Sequence, residues 1–335
     1  MQMAASEPDV VLPSGTHIDT ELGLIQDAAG NLISVKSLVV AQDGGPSIRA
    51  FIARSFVVDD LLAEGSFPLA FVSSGRISVV GHLDASAHGP LGGPGAEELV
   101  ANACVGRFTQ IQGDPSTTVT PGAGGGGHAT AGGAGGNNFQ AGPSGGTVRM
   151  GVAPLRGGCR GGRVLDMQGT ATTYEGGGGG GGLHLVSLQE IALTNDGTID
   201  VGGGGAGVNA GGGSGGLLFF EAPHVRFSGS TTGIAANGGA GGSACDGIGG
   251  DDGDVTTTSA GSQCDPTSIY GRGGTRTTPA TAGILCTTSC FNSGLKGGGG
   301  GAAGRARIST RDGNYEVTGT PVVSADISTS SLTTR

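Results

Sequence analysis

The chain of 335 residues contains no tryptophan, only 4% aromatic residues and only 13% charged residues. Tyr174, Tyr270 and Tyr315 are the only tyrosines, so the stacking platforms on which sugar-binding sites usually rest are scarce. Basic residues number 17 against 27 acidic ones, giving a net charge of −10. The Lys and Arg residues are scattered and do not alternate with aromatics. That disfavours nucleic acid and anionic membrane as partners, because phosphate binding needs clustered cations. No apolar run approaches the roughly 20 residues of a membrane helix, so no membrane span is expected. MQMAASEPDV lacks the charged start and apolar centre of a signal peptide. The chain reads either as cytosolic or, preferably, as a mature secreted form.

Sites of catalysis are equally scarce. The six histidines, His17, His82, His88, His128, His184 and His224, share no metal-ligand spacing such as HExxH. No Gly-x-Ser-x-Gly run sits in a strand-to-helix elbow, and no Gly-x-Gly-x-x-Gly lies in a βαβ context. Asp84 and Asp200 occupy equivalent positions in HLDAS and TIDVG. A β-helical polysaccharide-degrading enzyme would need such paired carboxylates in a cleft, but residues of this kind serve more often as turn acceptors. Neither catalytic residues nor a cofactor-binding site are expected.

What the chain has is glycine, 74 residues in all, with 14 in residues 1–121, 58 in 122–304 and two in the last 31. There is no collagen-like Gly-X-Y register with proline. Low charge and 36% hydrophobic residues argue against ordinary disorder. An imperfect repeat runs through this composition: LAFVSSGRISVVGHLDAS (69–86), LHLVSLQEIALTNDGTIDV (183–201) and LLFFEAPHVRFSGSTTGIAANGG (217–239). Leu69, Leu183 and Leu217 are each followed eight positions later by Ile77, Ile191 or Val225. Each copy then reaches a glycine and Leu83, Ile199 or Ile234. Echoes occur at 145–152 and 304–319. Period-2 alternation across LHLVS fits strand rather than helix, and stacked coils bury a face that one coil cannot.

The expected fold is mainly β: a right-handed parallel β-solenoid, or β-helix, with packed, polyglycine II-like glycine segments and a small N-terminal β region. The hand follows the general rule for parallel crossovers. The expected parts are an N-terminal β region (1–68), a glycine-rich body (69–310) and a Ser/Thr-rich strand and tail (311–335). GAEELVANACV (95–105) reads as a short helix. Fifteen residues between Val201 and Leu217 are long for a structureless loop. Glycine strands resembling polyproline II can approach closely and bond sideways. A flexible linker is the competing reading.

Six cysteines are present, an even count that suits disulfides and an oxidising compartment. Cys245, Cys264, Cys286 and Cys290 lie in one loop-like region and are the disulfide candidates. Cys245–Cys264 and Cys286–Cys290 are the first pairing to consider, although three pairings are open. Zinc fits poorly, since the second ligand pair is missing. In CDGIGGDDGDV, Asp246, Asp251, Asp252 and Asp254 supply hard oxygens on a flexible loop and form a candidate calcium site.

The segments GGLHLVSLQEIALTNDGTIDVGGGG, APLRGGCRGG and GGGGGAAGRARIST give the chain a family resemblance. It resembles glycine-rich secreted and cell-surface proteins of myxobacteria and, more loosely, glycine-rich surface proteins of mycobacteria. RISVVGHLDAS is similar in rhythm to β-helical adhesins. The resemblance covers roughly 69–310 and implies a secreted or cell-surface location, with no catalytic residues to carry over. The expected function is therefore a non-catalytic structural or adhesive protein of the cell surface or extracellular matrix. Its partners would be matrix components or further copies in a fibre. The alternative is a glycan- or receptor-binding module.

Overall fold

The structure is a computed structural model. It describes residues 7–97, 103–111, 119–136, 142–149, 151–243, 249–256, 258–261, 271–283, 294–295 and 297–332. The described residues contain no helix. Their strands, in chain order, begin with β1 (Asp9–Leu12), β2 (Thr16–Asp19), β3 (Leu24–Gln26), β4 (Lys36–Val40), β5 (Ile48–Ala53), β6 (Ser55–Val58) and β7 (Leu61–Glu64). Next come β8 (Leu69–Ser73), β9 (Arg76–Val79), β10 (His82–Asp84), β11 (Thr109–Gln110), β12 (Val119–Thr120), β13 (Val164–Leu165) and β14 (Thr172–Tyr174). The remainder are β15 (Gly182–Ser187), β16 (Glu190–Thr194), β17 (Thr198–Asp200), β18 (Leu217–Glu221), β19 (His224–Ser228) and β20 (Gly233–Ala235), followed by β21 (Gly294–Leu295), β22 (Arg305–Thr310), β23 (Glu316–Thr318), β24 (Val322–Val323) and β25 (Asp326–Ser331).

Three sheets carry the core, with strand orders β1-β6-β9-β16-β19-β23, β24-β20-β17-β10-β7-β2-β3 and β25-β22-β18-β15-β8-β5-β4. Successive triplets of strands give one strand to each sheet, and alternation inside each strand turns the branched residues inward. Val10, Phe56, Ile77, Ile191 and Val225 stand in one register row. Leu61, Leu83, Ile199, Ile234 and Val323 form another. Phe51, Phe71, Leu185, Phe220 and Ile308 form a third. The rows meet in one buried cluster. Phe71 links two of them, its ring centroid 4.9 Å from Phe56 and 6.3 Å from Phe51.

These findings correct the expected right-handed β-solenoid over 69–310 behind a small N-terminal β region. The molecule is mainly β, but it is organised as several parallel and mixed sheets. β3 pairs antiparallel with β2, and β4 with β5, at sheet edges, and β14 pairs antiparallel with β13 in a small sheet that also holds β11. Strands from residues 9–64 belong to the same three sheets as the later ones. The physical reason lies between the second and third sheets. The corner from β7 to β8 takes only residues 65–68, whereas after β10, β17 and β20 the chain next enters these three sheets at β15, β18 and β22, with a long glycine-rich excursion before each.

Smaller readings also change. Leu183 pairs with Leu218 rather than Leu217, a one-residue slip from the sequence alignment. The echo at 145–152 forms no strand among its described residues. In the expected helix 95–105, Glu97 instead makes a parallel bridge to Cys159, and residues 98–102 lie outside the described residues.

The departing segments form a second body made of backbone. Along 211–216 the N–H groups point in three directions by turn. Gly211 and Ser214 donate to Gly162 and Cys159 oxygens, Gly212 and Gly215 to Gly299 and Ala302, and Gly213 and Gly216 to Gly204 and Val201, all at 2.7–2.9 Å. The segment 122–127 does the same: Gly122 and Gly125 donate to Gly136 and Gly133, Ala123 and Gly126 to Asn209 and Gly212, and Gly124 and Gly127 to Arg107 and Cys104. A period of three, not the strand period of two, is that of an extended threefold helix. The run 176–182 joins the same array, Gly177 and Gly180 donating to Gly211 and Ser214, and Gly178 and Gly181 to Gly89 and Ala85.

Close approach is what requires glycine here. A Cβ built on Gly213 would lie far inside contact distance of the Gly178 carbonyl oxygen, and one on Gly298 would meet the Ala210 carbonyl in the same way. Alanine also occurs buried in the array, at Ala123, Ala240 and Ala302. The Cys104–Cys159 disulfide closes a separation of 55 residues beside this array. Ser214 Oγ accepts the Cys159 N–H at 2.7 Å. In the chain-entropy picture such a closure contributes about 4 kcal/mol.

A Gly213→Ala substitution is expected to destabilise the fold by at least about 2 kcal/mol, because the rigid neighbour is backbone. Gly30→Ala, at a positive φ in open space, should cost about 1 kcal/mol through strain alone. Denaturant midpoints of the two variants measure the contrast.

Candidate functional site

Titratable groups gather where β10 and β17 leave their sheet for the glycine array. Asp84 and Asp200 end these strands and are register partners, so adjacent parallel backbones place them about 4.8 Å apart at Cα. Asp84 Oδ1 accepts the Ser86 N–H at 2.9 Å and the Ser86 hydroxyl at 2.6 Å. His88 Nε2 lies 3.2 Å from its other oxygen, and His82 Nε2 lies 4.0 Å away. Asp200 is 3% exposed, and its Oδ1 accepts the Gly202 N–H at 2.7 Å. Both carboxylates thus make the corner bonds anticipated for turn acceptors.

The two environments drive their acidities apart. Burial works against ionisation of Asp84, but hydrogen bonds from His88 and Ser86 outweigh it and hold the carboxyl at about 2. Burial pushes Asp200 well above the ordinary range, opposed by the Gly202 N–H and reinforced by the charges of Asp84 and Asp254. His88 is raised, first by its hydrogen bond to Asp84, with burial opposing. One carboxyl lowered and its register partner raised is the pattern of an acid–base pair. In this conformation, however, Asp200 is closed to a polymer substrate by its burial.

Among the candidate calcium ligands, Asp246 lies outside the described residues. Asp252 Oδ1 accepts the N–H groups of Gly89 (3.0 Å) and Gly205 (2.6 Å), tying the acidic loop to two glycine strands. Asp254 Oδ1 accepts its neighbour's N–H, from Val255, at 2.6 Å. Asp251 is raised by burial and then by the charge of Asp252. Among the described residues no group of three or more His, Cys, Asp or Glu side chains is arranged to hold a metal ion. Cys245, Cys264, Cys286 and Cys290 also lie outside the described residues.

The remaining histidines are dispersed. His17 lies 3.0 Å from Glu64, His184 lies 3.3 Å from Glu221, and His82 Nδ1 lies 2.8 Å from the Thr198 hydroxyl. Sequence reasoning found Asp84 and Asp200 but missed His88, although its spacing of four residues from Asp84 was the available signal. It also missed the Cys104–Cys159 pair, for which the spacing gives none. Among the described residues no helix is long and apolar enough to cross a membrane. Comparison with protein-family models, with curated proteins and with solved structures finds no match.

Asp84 and Asp200 carry opposite pH signatures. The lowered Asp84 contributes stability above the unfolded value near 4, lost as pH falls towards about 2, so Asp84→Asn should cost about 1–2 kcal/mol at pH 7 and little at pH 2. The raised Asp200 lowers stability as pH climbs above 4. Asp200→Asn should therefore gain on the parent protein between pH 4 and 7 and match it at pH 3. Thermal unfolding across pH checks both slopes.

Proposed function

We propose that this chain is a non-catalytic structural or adhesive component of the cell surface or extracellular matrix, able to assemble with further copies. The observation that supports this reading is the glycine array, in which buried backbone bonds backbone in three directions. Such a body gives stiffness without exposing side-chain chemistry. The Cys104–Cys159 disulfide fits an oxidising compartment, and the resemblance of 69–310 to secreted glycine-rich proteins points the same way. Sheet edges support assembly: β23 is exposed along its length, and β25 is exposed at most positions beyond β22. Edges of this kind can add strands from another chain.

Negative-stain electron microscopy and sedimentation of the native protein test the proposal. Filaments or concentration-dependent oligomers, together with protease resistance, are expected. Monomers at all concentrations that are selectively retained on a glycan array would replace it with the ligand-binding alternative.

A further inference from the structure

A second group of charged side chains lies away from the carboxylates, at the start of β18. A cavity of about 210 Å³ is lined there by His128, Arg149, Pro154, Arg156 and Leu217 among others. The polar walls come from distant parts of the chain that backbone bonds hold together. Arg149 N–H donates to the His128 carbonyl at 2.9 Å. Arg305 braces the same turn, donating to the Arg149 oxygen at 3.0 Å and the Ala129 oxygen at 3.2 Å.

Among the described residues, positive charge exceeds negative charge around this space. Glu97 Oε2 lies 3.7 Å from Arg149 Nη2 and 3.4 Å from Arg156 Nη1, so one carboxylate is shared between two guanidiniums. Arg149 makes further bonds to the Gly157 carbonyl and the Cys104 sulfur, and Arg156 to the Gly44 carbonyl. Each guanidinium presents five donors in a planar fork. His128 is 2% exposed, and its Nδ1 is buried with no hydrogen-bond partner. A buried imidazole nitrogen without a partner is costly. The same residue lines the cavity with Arg149 and Arg156. Burial, and after it the charges of Arg149 and Arg305, hold His128 down at about 3, so the ring is neutral.

We propose that the His128–Arg149–Arg156 cavity binds a small oxyanion, a carboxylate or phosphate group. Guanidinium forks match the paired oxygens of both groups, and His128 lines the cavity beside them. The volume suits a small anion or the charged end of a larger molecule. Leu217 and Pro154 supply an apolar side against which the ligand's carbon skeleton rests. This inference does not depend on the structural or adhesive reading, since a matrix protein and a ligand-binding module can both carry such a site.

Calorimetric titration of the full chain at low salt tests it, with inorganic phosphate in one arm and glucuronate in the other. Saturable one-to-one binding is expected in at least one arm, and the arm that binds identifies the anionic group. Arg156→Gln should weaken that binding by about tenfold or more, with unchanged circular dichroism. In the parent protein the ligand should shift the His128 imidazole ¹⁵N resonances. Absence of saturable binding by either anion below about 10 mM overturns the proposal. So does binding that is unaffected by Arg156→Gln and silent at His128.

Discussion

The hydrogen bond between one glycine backbone and another, at a separation that no Cβ tolerates, is the constraint on which the architecture depends. Each bond is an ordinary amide–carbonyl pair contributing about 1 kcal/mol net. Its effect comes from geometry, because a threefold extended chain turns successive N–H groups towards three different neighbours. Ordering glycine is entropically expensive, and a lone glycine run would not stay ordered. Packed segments satisfy one another's donors and acceptors, and the array becomes a solid with almost no side chains.

The three sheets and the glycine array support each other. Rows of Leu, Ile, Val and Phe bury the hydrophobic core and fix the axial spacing of β10, β17 and β20, from which the array segments depart. The array returns the chain to β15, β18 and β22 in register. Asp84, Asp200 and Asp252 sit at this junction and convert side-chain carboxylates into acceptors for glycine N–H groups or their neighbours. Asp252 of the acidic loop is thereby part of the seam between sheet and array.

The sequence made some of this legible. The rows Ile77–Ile191–Val225 and Leu83–Ile199–Ile234 follow from spacing, because β-branched residues at fixed intervals mark a shared inward face. The strands of residues 9–64 were harder to join to them. Their residues, among them Ala63 opposite Ile18, do not repeat the later pattern, and their connections lack glycine excursions. The direction of each glycine N–H left no trace, since a polyglycine string is the same at every position. The arginine cavity was equally hidden: residues 128, 149, 156 and 305 meet only after the array has folded. Where side chains decide the packing, the pattern can be read; where backbone decides it, only composition gives notice.

A fold held by backbone in this way accounts for several features together: the abundance of glycine, the scarcity of aromatics and charge, and the disulfide placed beside the array rather than within the hydrophobic core. It also places the chemistry-bearing side chains at the margins, at the sheet junction and in the arginine-lined cavity. Amide hydrogen exchange resolved to 177–182 and 211–216 tests the account most directly. Protection comparable to that of Leu183–Ser187 in β15 is predicted. Exchange at the rate of free chain in both glycine segments, with β15 still protected, would contradict it.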